Sequence, residues 1–389
     1  MEFLTKESRN FTTGKARWVP ILGLALLFLV ACARVSDTPT PAATATPVPT
    51  PTLTPTPTVL TELKARQVKL PADEGAHGTP FEWWYFNGHL TDETGSEYSY
   101  HFVTFEITTP EGLTPRLLQL GWSDHGADLY LTEELPSFSP GISGSGSFDI
   151  QMDGWRMRGD GSRYNLSFGT GNYALELEAA PTKPAVLHQG TGLVDLGRAG
   201  ESYYYTRSRL ATSGFLTVGE ERLAVTGSSW MDHQWGDFGT ASPVGWDWVS
   251  LQLDDGSELM VTLVWDADDH EPILTYGTYV AADATTTQLT DSQITLTSTG
   301  AWTSPNNGTE YPMGWELEVT GPQLSLRLDP VQEEAEFAGS SYIPVPYWEG
   351  AVAVAGSSGD RSITGKGFVE LVGYADRVEE NLPLPAPGQ

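Results

Sequence analysis

From about residue 65 onward, short runs rich in Trp, Tyr, Phe, Val and Thr are separated by turns that carry Gly, Asp and Asn. That is the pattern of strands joined by tight connections. Residues 98–108, 172–179, 246–253, 258–265, 324–328 and 367–374 are such runs. The last places Phe368, Glu370 and Val372 on one face and Val369, Leu371 and Gly373 on the other, following the two-residue period of a strand. No long stretch shows the helical spacing of apolar positions. Many short strands at turn-spaced intervals predict an all-β sandwich or barrel.

A weak internal repeat sharpens the picture. Trp83-x-Tyr85-Phe86-x-x-x-Leu90 leads through an acidic turn to Gly95-Ser96-Glu97-Tyr98. Trp246-x-Trp248-Val249-x-x-x-Leu253 leads through a shorter one to Gly256-Ser257-Glu258-Leu259. Each reads as strand, hairpin, strand, and their separation of about half the body fits two copies of one β domain. Alternation puts Trp83, Tyr85, Asn87 and His89 on one face of the first strand. Trp246, Trp248, Ser250 and Gln252 share the equivalent face of the second. An aromatic end followed by a polar end suits a barrel interior that binds an apolar ligand through a few polar handles. It suits a solvated outer face equally well.

The N-terminal region reads as an address. Lys6, Arg9, Lys15 and Arg17 precede an apolar stretch at 18–31 that ends in Leu29-Val30-Ala31-Cys32. A basic segment, a short apolar segment and a small residue before the cut describe a secretory signal. The stretch is shorter than the roughly 20 residues a spanning helix needs. Its end resembles the bacterial lipobox, which implies a signal peptide over 1–31 and a lipid on Cys32. As Cys32 is the single cysteine, no internal disulfide forms and cysteine catalysis is excluded once it is acylated. Residues 37–58 are almost wholly Pro, Thr and Ala, a stiff polyproline spacer rather than a folded segment. The expected location is the outer face of the cell membrane or the envelope. A formal charge of −29 repels nucleic acid and anionic headgroups, so the anchor, not electrostatic adhesion, makes the membrane a partner.

Three stretches carry a family resemblance: Phe81-Glu82-Trp83-Trp84-Tyr85-Phe86-Asn87-Gly88-His89-Leu90, Gly227-Ser228-Ser229-Trp230-Met231-Asp232-His233-Gln234-Trp235-Gly236, and Tyr347-Trp348-Glu349-Gly350-Ala351-Val352. Together they resemble the hydroxyneurosporene synthase family of carotenoid 1,2-hydratases, also called the AttH or lipocalin-like domain family. The resemblance implies two lipocalin-like barrels packed together, in agreement with the repeat. The expected division is a lipidated Cys and linker over 32–64, barrels over 65–222 and 223–380, and a tail over 381–389. It also implies addition of water to an isoprenoid double bond by acid-base chemistry, with no cofactor. Other members are exported proteins described as hydrolases.

Hydrating an alkene requires an acid able to protonate carbon, aromatic faces that tolerate a cation, and a placed water. A carboxylic acid in an apolar pocket keeps its proton because burial disfavours the anion, and aromatic faces attract cations. Asp232-His233-Gln234-Trp235 supplies an acid, a base and an aromatic side chain, and its His-x-Trp spacing matches residues the hydratases require. On a strand His233 and Trp235 face away from Asp232 and Gln234, so only a turn or bulge unites them. The resemblance calls for a further acid, for which Asp247 and Asp266 are candidates, though the expected Tyr-x-Asp is missing. Catalysis and packing are equally open for His233 and Asp232. Packing that also shapes the pocket is favoured for Trp83, Trp84 and Trp348, and an ion pair with Arg207 for Glu82. Trp83, Tyr85, Asn87, His89, Trp246 and Trp248 are the candidate ligand contacts.

Other chemistries lack their signatures. No His-Glu-x-x-His or Cys/His cluster predicts a metal. The acidic run at 266–271 lacks the features of a calcium loop, and no Gly-x-Ser-x-Gly elbow is present. The leading expectation is an exported lipoprotein that binds an apolar isoprenoid or lipid-like molecule and hydrates or hydrolyses it. The alternatives are a carrier lipoprotein without chemistry and a fully packed structural protein.

Overall fold

The structure, a computed structural model, describes residues 66–108, 114–137, 146–239, 243–339 and 345–375. The leader, Cys32, the Pro/Thr spacer and the tail lie outside the described residues. Among the described residues strand makes up 67% and helix 4%, as the alternating pattern requires.

The first sheet begins with β1 (Phe81–Asp92), β2 (Glu97–Ile107), β3 (Arg116–Asp124) and β4 (Leu129–Ser137). It continues with β5 (Phe148–Met152), β6 (Trp155–Gly159), β7 (Tyr164–Thr170) and β8 (Tyr173–Pro181). Two short strands, β9 (Val186–Leu187) and β10 (Leu193–Asp195), precede the long hairpin of β11 (Gly200–Val218) and β12 (Glu221–Phe238). The second sheet starts with β13 (Val244–Leu253), β14 (Glu258–Asp266), β15 (Pro272–Val280) and β16 (Thr286–Thr290). Next come β17 (Ile294–Thr303), β18 (Glu310–Val319), β19 (Leu324–Pro330) and β20 (Glu336–Phe337). The hairpin of β21 (Tyr347–Ser358) and β22 (Arg361–Val372) completes it.

The spatial orders are β4-β3-β2-β1-β12-β11-β8-β7-β6-β5 and β16-β15-β14-β13-β22-β21-β19-β18-β17. Apart from an extra edge strand (β5) and a second short strand beside β11 in the first, the connectivities coincide, so the repeat read from two hairpins extends to the whole sheet. Each sheet curls into a barrel or half-barrel, consistent with two lipocalin-like barrels. The expected division at 222/223 falls inside β12. That strand returns from the β11 turn and pairs with β1 from Val225 to Gly236. The change of sheet therefore lies between Phe238 and Val244.

Three apolar clusters follow from this architecture. One fills the first sheet around Trp84, Phe86, Phe102 and Met157. A second fills the other sheet around Val249, Leu317, Trp348 and Leu371. The third draws Tyr85, Tyr204 and Trp230 from the first sheet and Trp248, Tyr276 and Phe368 from the second. It joins the two barrels, and the site lies in it.

Candidate functional site

The strand period decides which residues meet at the junction. On β1, Glu82, Trp84, Phe86 and Leu90 are buried on the face toward the first core. Trp83, Tyr85, Asn87 and His89 point the other way. They meet the matching face of β13, so this face is neither a barrel interior nor a solvated surface. The polar ends hold the sheets together. Asn87 Nδ2 donates to Ser250 Oγ at 3.2 Å, and His89 Nε2 lies 3.2 Å from the Gly367 carbonyl. Gln252 Nε2 donates to the Ser208 and Ser229 carbonyls. The aromatic ends stay apart and wall a cavity.

Trp83, Tyr85, Tyr204, Trp246, Trp248 and Tyr276 line this cavity together with three acids, Asp232, Glu349 and Glu370. It has about 90 Å³ of free space, enough for the reacting end of a molecule. Trp83, Phe105, Phe238, Val244 and Trp246 also line a larger neighbouring vestibule of about 580 Å³.

Each acid is set by its strand partners. Asp232 accepts from Tyr204 Oη at 2.6 Å, from Trp230 Nε1 at 2.8 Å and from the Thr206 hydroxyl. Burial outweighs these bonds and raises it to about 7. Glu370 accepts from Trp246 Nε1 at 3.0 Å and is likewise pushed by burial to about 7. Glu349 faces Glu370 directly across β21 and β22. Burial first, and the Glu370 charge second, raise Glu349 well above the ordinary carboxylate range. It accepts from Tyr85 Oη at 2.5 Å, and His101 Nδ1 lies 3.3 Å from its other oxygen. Burial holds His101 down at about 3, so at neutral pH this contact joins a neutral imidazole to a protonated acid. Among the described residues no Lys or Arg pairs with either glutamate, and such an antiparallel pair is unfavourable when both are ionised.

The expected sites separate across these faces. β12 runs in unbroken register against β1 through Trp235, Gln234, His233 and Asp232, with no turn or bulge. Asp232 and Gln234 therefore line the junction cavity, while His233 and Trp235 enter the first barrel. His233 Nε2 is 2.8 Å from Glu82 Oε1, and its Nδ1 is 3.3 Å from Tyr205 Oη. Trp235 stacks on His77 at 3.8 Å. Asp247 points away from Trp246 and Trp248 and accepts from Tyr374 Oη at 2.7 Å; burial raises it to about 6. Asp266 lies 3.1 Å from Arg198. Neither lines the junction cavity. Of the candidate ligand contacts, Trp83, Tyr85, Trp246 and Trp248 line it, whereas Asn87 and His89 serve as docking bonds.

The pairing expected between Glu82 and Arg207 does not form. Arg207 meets Glu74 and Tyr164, because Glu74 enters the barrel end from the strap before β1. Glu82 instead accepts from the His77 backbone N–H and faces both imidazoles. Burial raises its pKa, but the bonds from His233 and His77 outweigh that and hold it at about 2.

Glu349, Glu370 and Tyr204 are the residues sequence reasoning passed over. A signal was present, since the repeat maps Tyr85 onto Trp248. Asp232 pairs with Tyr85 as Glu370 pairs with Trp248, so an acid at one position directs attention to the other.

Comparison with known proteins agrees with this architecture. A family model described as AttH-like matches residues 61–374. The dehydratase asqC of Emericella nidulans is 27% identical over 239 residues, which cover 59% of this chain and 65% of that protein. The chain thus spans under two thirds of that relative. An AttH protein of Nitrosomonas europaea (NE1406) is similar at a TM-score of 0.68 and 24% identity, covering 80% of this chain and 98% of that one. Kievitone hydratase from Nectria haematococca follows at 0.66 and 18%, covering 79% and 93%. At these identities the two structures bear on the fold alone.

Proposed function

The chain belongs to the AttH-like family, and we propose that it adds water to a carbon–carbon double bond of an apolar isoprenoid or lipid-like molecule, or removes water from the matching alcohol. The observation that carries this reading is Glu349, a buried carboxylic acid held protonated in an aromatic cavity. One relative is named a dehydratase, and dehydration is hydration run in reverse.

In the hydration direction the Glu349 proton passes to the less substituted alkene carbon, and the π electrons form the new C–H bond. The tertiary cation left behind is faced by Trp83, Trp246, Trp248 and Tyr85, whose ring faces favour positive charge. Water adds to it, and the proton released by the oxonium returns to a carboxylate of the cavity. Dehydration is the same path reversed, with a protonated hydroxyl leaving as water. The acid at this site replaces the sequence-based candidates Asp247 and Asp266, whose side chains lie elsewhere.

We also place the protein on a membrane surface through Cys32, with the Pro/Thr segment as a spacer. Support for that comes from the basic leader, the apolar stretch and the lipobox-like ending. An anchor of this kind keeps the cavity beside the phase in which an apolar substrate dissolves.

The test is incubation of the purified chain with tertiary isoprenoid alcohols and the matching alkenes in ¹⁸O-labelled water, read by mass spectrometry. Interconversion with label in the alcohol, lost in Glu349→Gln, supports the reading. Recovery of bound but unaltered compound from both proteins overturns it and leaves a carrier.

A further inference from the structure

Glu82 is buried at the end of the first barrel, and among the described residues its ion pairs are with His77 and His233, not with Lys or Arg. Its Oε2 accepts the His77 backbone N–H at 2.8 Å. Its Oε1 faces His77 Nδ1 and His233 Nε2, each at 2.8 Å. One ligand atom from each of the three residues lies within 4.8 Å of the others. Two imidazole nitrogens thus converge on one carboxylate oxygen.

The surroundings fit metal ligation in a second, independent way. A ligating histidine usually has its other ring nitrogen held by an oxygen, which fixes tautomer and orientation. His233 Nδ1 lies 3.3 Å from Tyr205 Oη, and that hydroxyl donates to Glu74 at 2.8 Å. His77 Nε2 lies 3.7 Å from Asp73 Oδ1, beyond hydrogen-bond reach. Both rings are also fixed by stacking: His77 lies parallel to Trp235 at 3.8 Å, and His233 packs on Trp84 at 4.7 Å. The His77 side chain is 19% exposed, while Glu82 and His233 are closed off from solvent. The cluster therefore meets solvent on the His77 side.

We propose that His77, Glu82 and His233 form a binding site for a divalent transition-metal cation, with Zn²⁺ the best match. Two imidazoles and a carboxylate form a common three-ligand zinc set with one open position. The same donors disfavour Mg²⁺ and Ca²⁺, which prefer all-oxygen shells. Ligands at roughly 2.0–2.1 Å from zinc lie about 3.3 Å apart, so the present contacts open by about half an ångström on binding. The site is on the opposite face of β12 from Asp232 and outside the lining of the junction cavity. It therefore has no part in protonating the substrate. Its effect is to compensate the Glu82 charge and pin the strap carrying Ala72–Glu74 and His77 to the barrel. The sequence hid the site because its ligands are split between the strap, β1 and β12.

The test is made on the full chain after removal of metals with a chelator. Zinc binding is followed by calorimetry and metal analysis, and the geometry by the visible spectrum of the Co²⁺ form. One Zn²⁺ per chain, a melting temperature that rises with added zinc, and a tetrahedral Co²⁺ spectrum are expected. His77→Ala should weaken binding at least about a hundredfold, whereas His270→Ala should leave it unchanged. His77 is used because it is partly exposed, and circular dichroism shows whether the variant remains folded. Absence of zinc binding at micromolar concentration, or binding unaltered in His77→Ala, overturns the proposal and leaves a hydrogen-bonded His–Glu–His triad. Metal content, not turnover, is the readout, so this outcome is separate from the fate of the hydratase reading.

Discussion

The two halves of the molecule share a connectivity but divide their polar chemistry differently. In the first half Asp232 stands opposite Tyr85 on one side and Thr206 on the other, and Thr206 donates a hydrogen bond to it. In the second half Glu370 stands opposite Trp248, and the position corresponding to Thr206 is Glu349. One half gives its acid a neutral donor; the other gives it a second acid. Two carboxyls side by side in an apolar wall cannot both ionise cheaply, so the second half stores a proton that the first has less reason to hold. The barrel interiors invert the contrast. The first encloses Arg207, Glu74, Glu82 and His233, whereas the second is packed with Val, Leu and Trp and answers its buried Glu336 with neutral partners such as Ser304, Asn306 and Tyr311.

Glu349→Gln should separate the two halves most. Gln retains an oxygen for Tyr85 and similar volume, but has no proton to give carbon. Turnover should fall by about 10²- to 10⁴-fold, the usual worth of a general acid, with the melting temperature little lowered. Thr206→Gln, which alters the corresponding place in the first half, should cost far less activity. Equal losses in steady-state turnover would remove the asymmetry.

The inverted contrast of the interiors is tested by stability. Arg207→Met leaves Glu74 buried with only hydroxyl partners, Tyr164 and Tyr205. Removing one member of a buried pair costs about 3–5 kcal/mol. In the second barrel Leu371→Ala removes apolar contacts only, at about 2–5 kcal/mol. Denaturant midpoints should rank Arg207→Met as the more damaging, and adding Glu74→Gln to it should recover stability. No recovery would mean that Arg207 acts through packing.

The alternation of β1 and β13, the duplicated hairpin and the all-β class were legible because a strand's period is local and strong. The aromatic face of Trp83, Tyr85, Trp246 and Trp248 was legible too, but not what it faced, since one exposed side and one sheet-to-sheet contact give the same pattern. Asp247 is one residue out of phase with Trp246 and Trp248, and that single step puts it on the other face of the sheet. Glu349 was visible only as part of a motif. Its chemistry comes from Glu370, Tyr85 and His101, three residues on three other strands that no spacing rule connects.

Glu370→Gln tests the second half's acid pair through pH. Glu370 is raised from 4.5 to about 7 in the fold, so the folded state binds its proton more tightly than the unfolded chain. Its contribution to stability is complete below the unfolded value near 4.5 and is lost as pH rises through about 7. The loss approaches about 3 kcal/mol by linkage above that range. The variant, which keeps an oxygen for Trp246 Nε1, should match the wild type at pH 4 and exceed it at pH 8. A melting-temperature difference independent of pH would show that Glu370 is not held protonated.

Tyr85→Phe is the smallest change and the most discriminating. The hydroxyl donates to Glu349 Oε1 at 2.5 Å and accepts from Asn87 Nδ2 at 3.0 Å. Asn87 keeps Ser250 when it is gone, so the fold should lose about 1–2 kcal/mol, the cost of one buried bond. That hydrogen bond stabilises the Glu349 carboxylate and therefore lowers its pKa. Without it the acid is weaker and stays protonated to higher pH. Turnover should fall by about 3- to 10-fold in kcat with KM nearly constant, while the alkaline limb of the pH profile moves upward. A structural role for Tyr85 alone would lower stability without moving that limb. The corresponding Trp248→Phe removes a donor to Tyr204, not to Glu349. It should leave the limb in place, so the pair of variants shows in one measurement whether the proton belongs to the second half's acid.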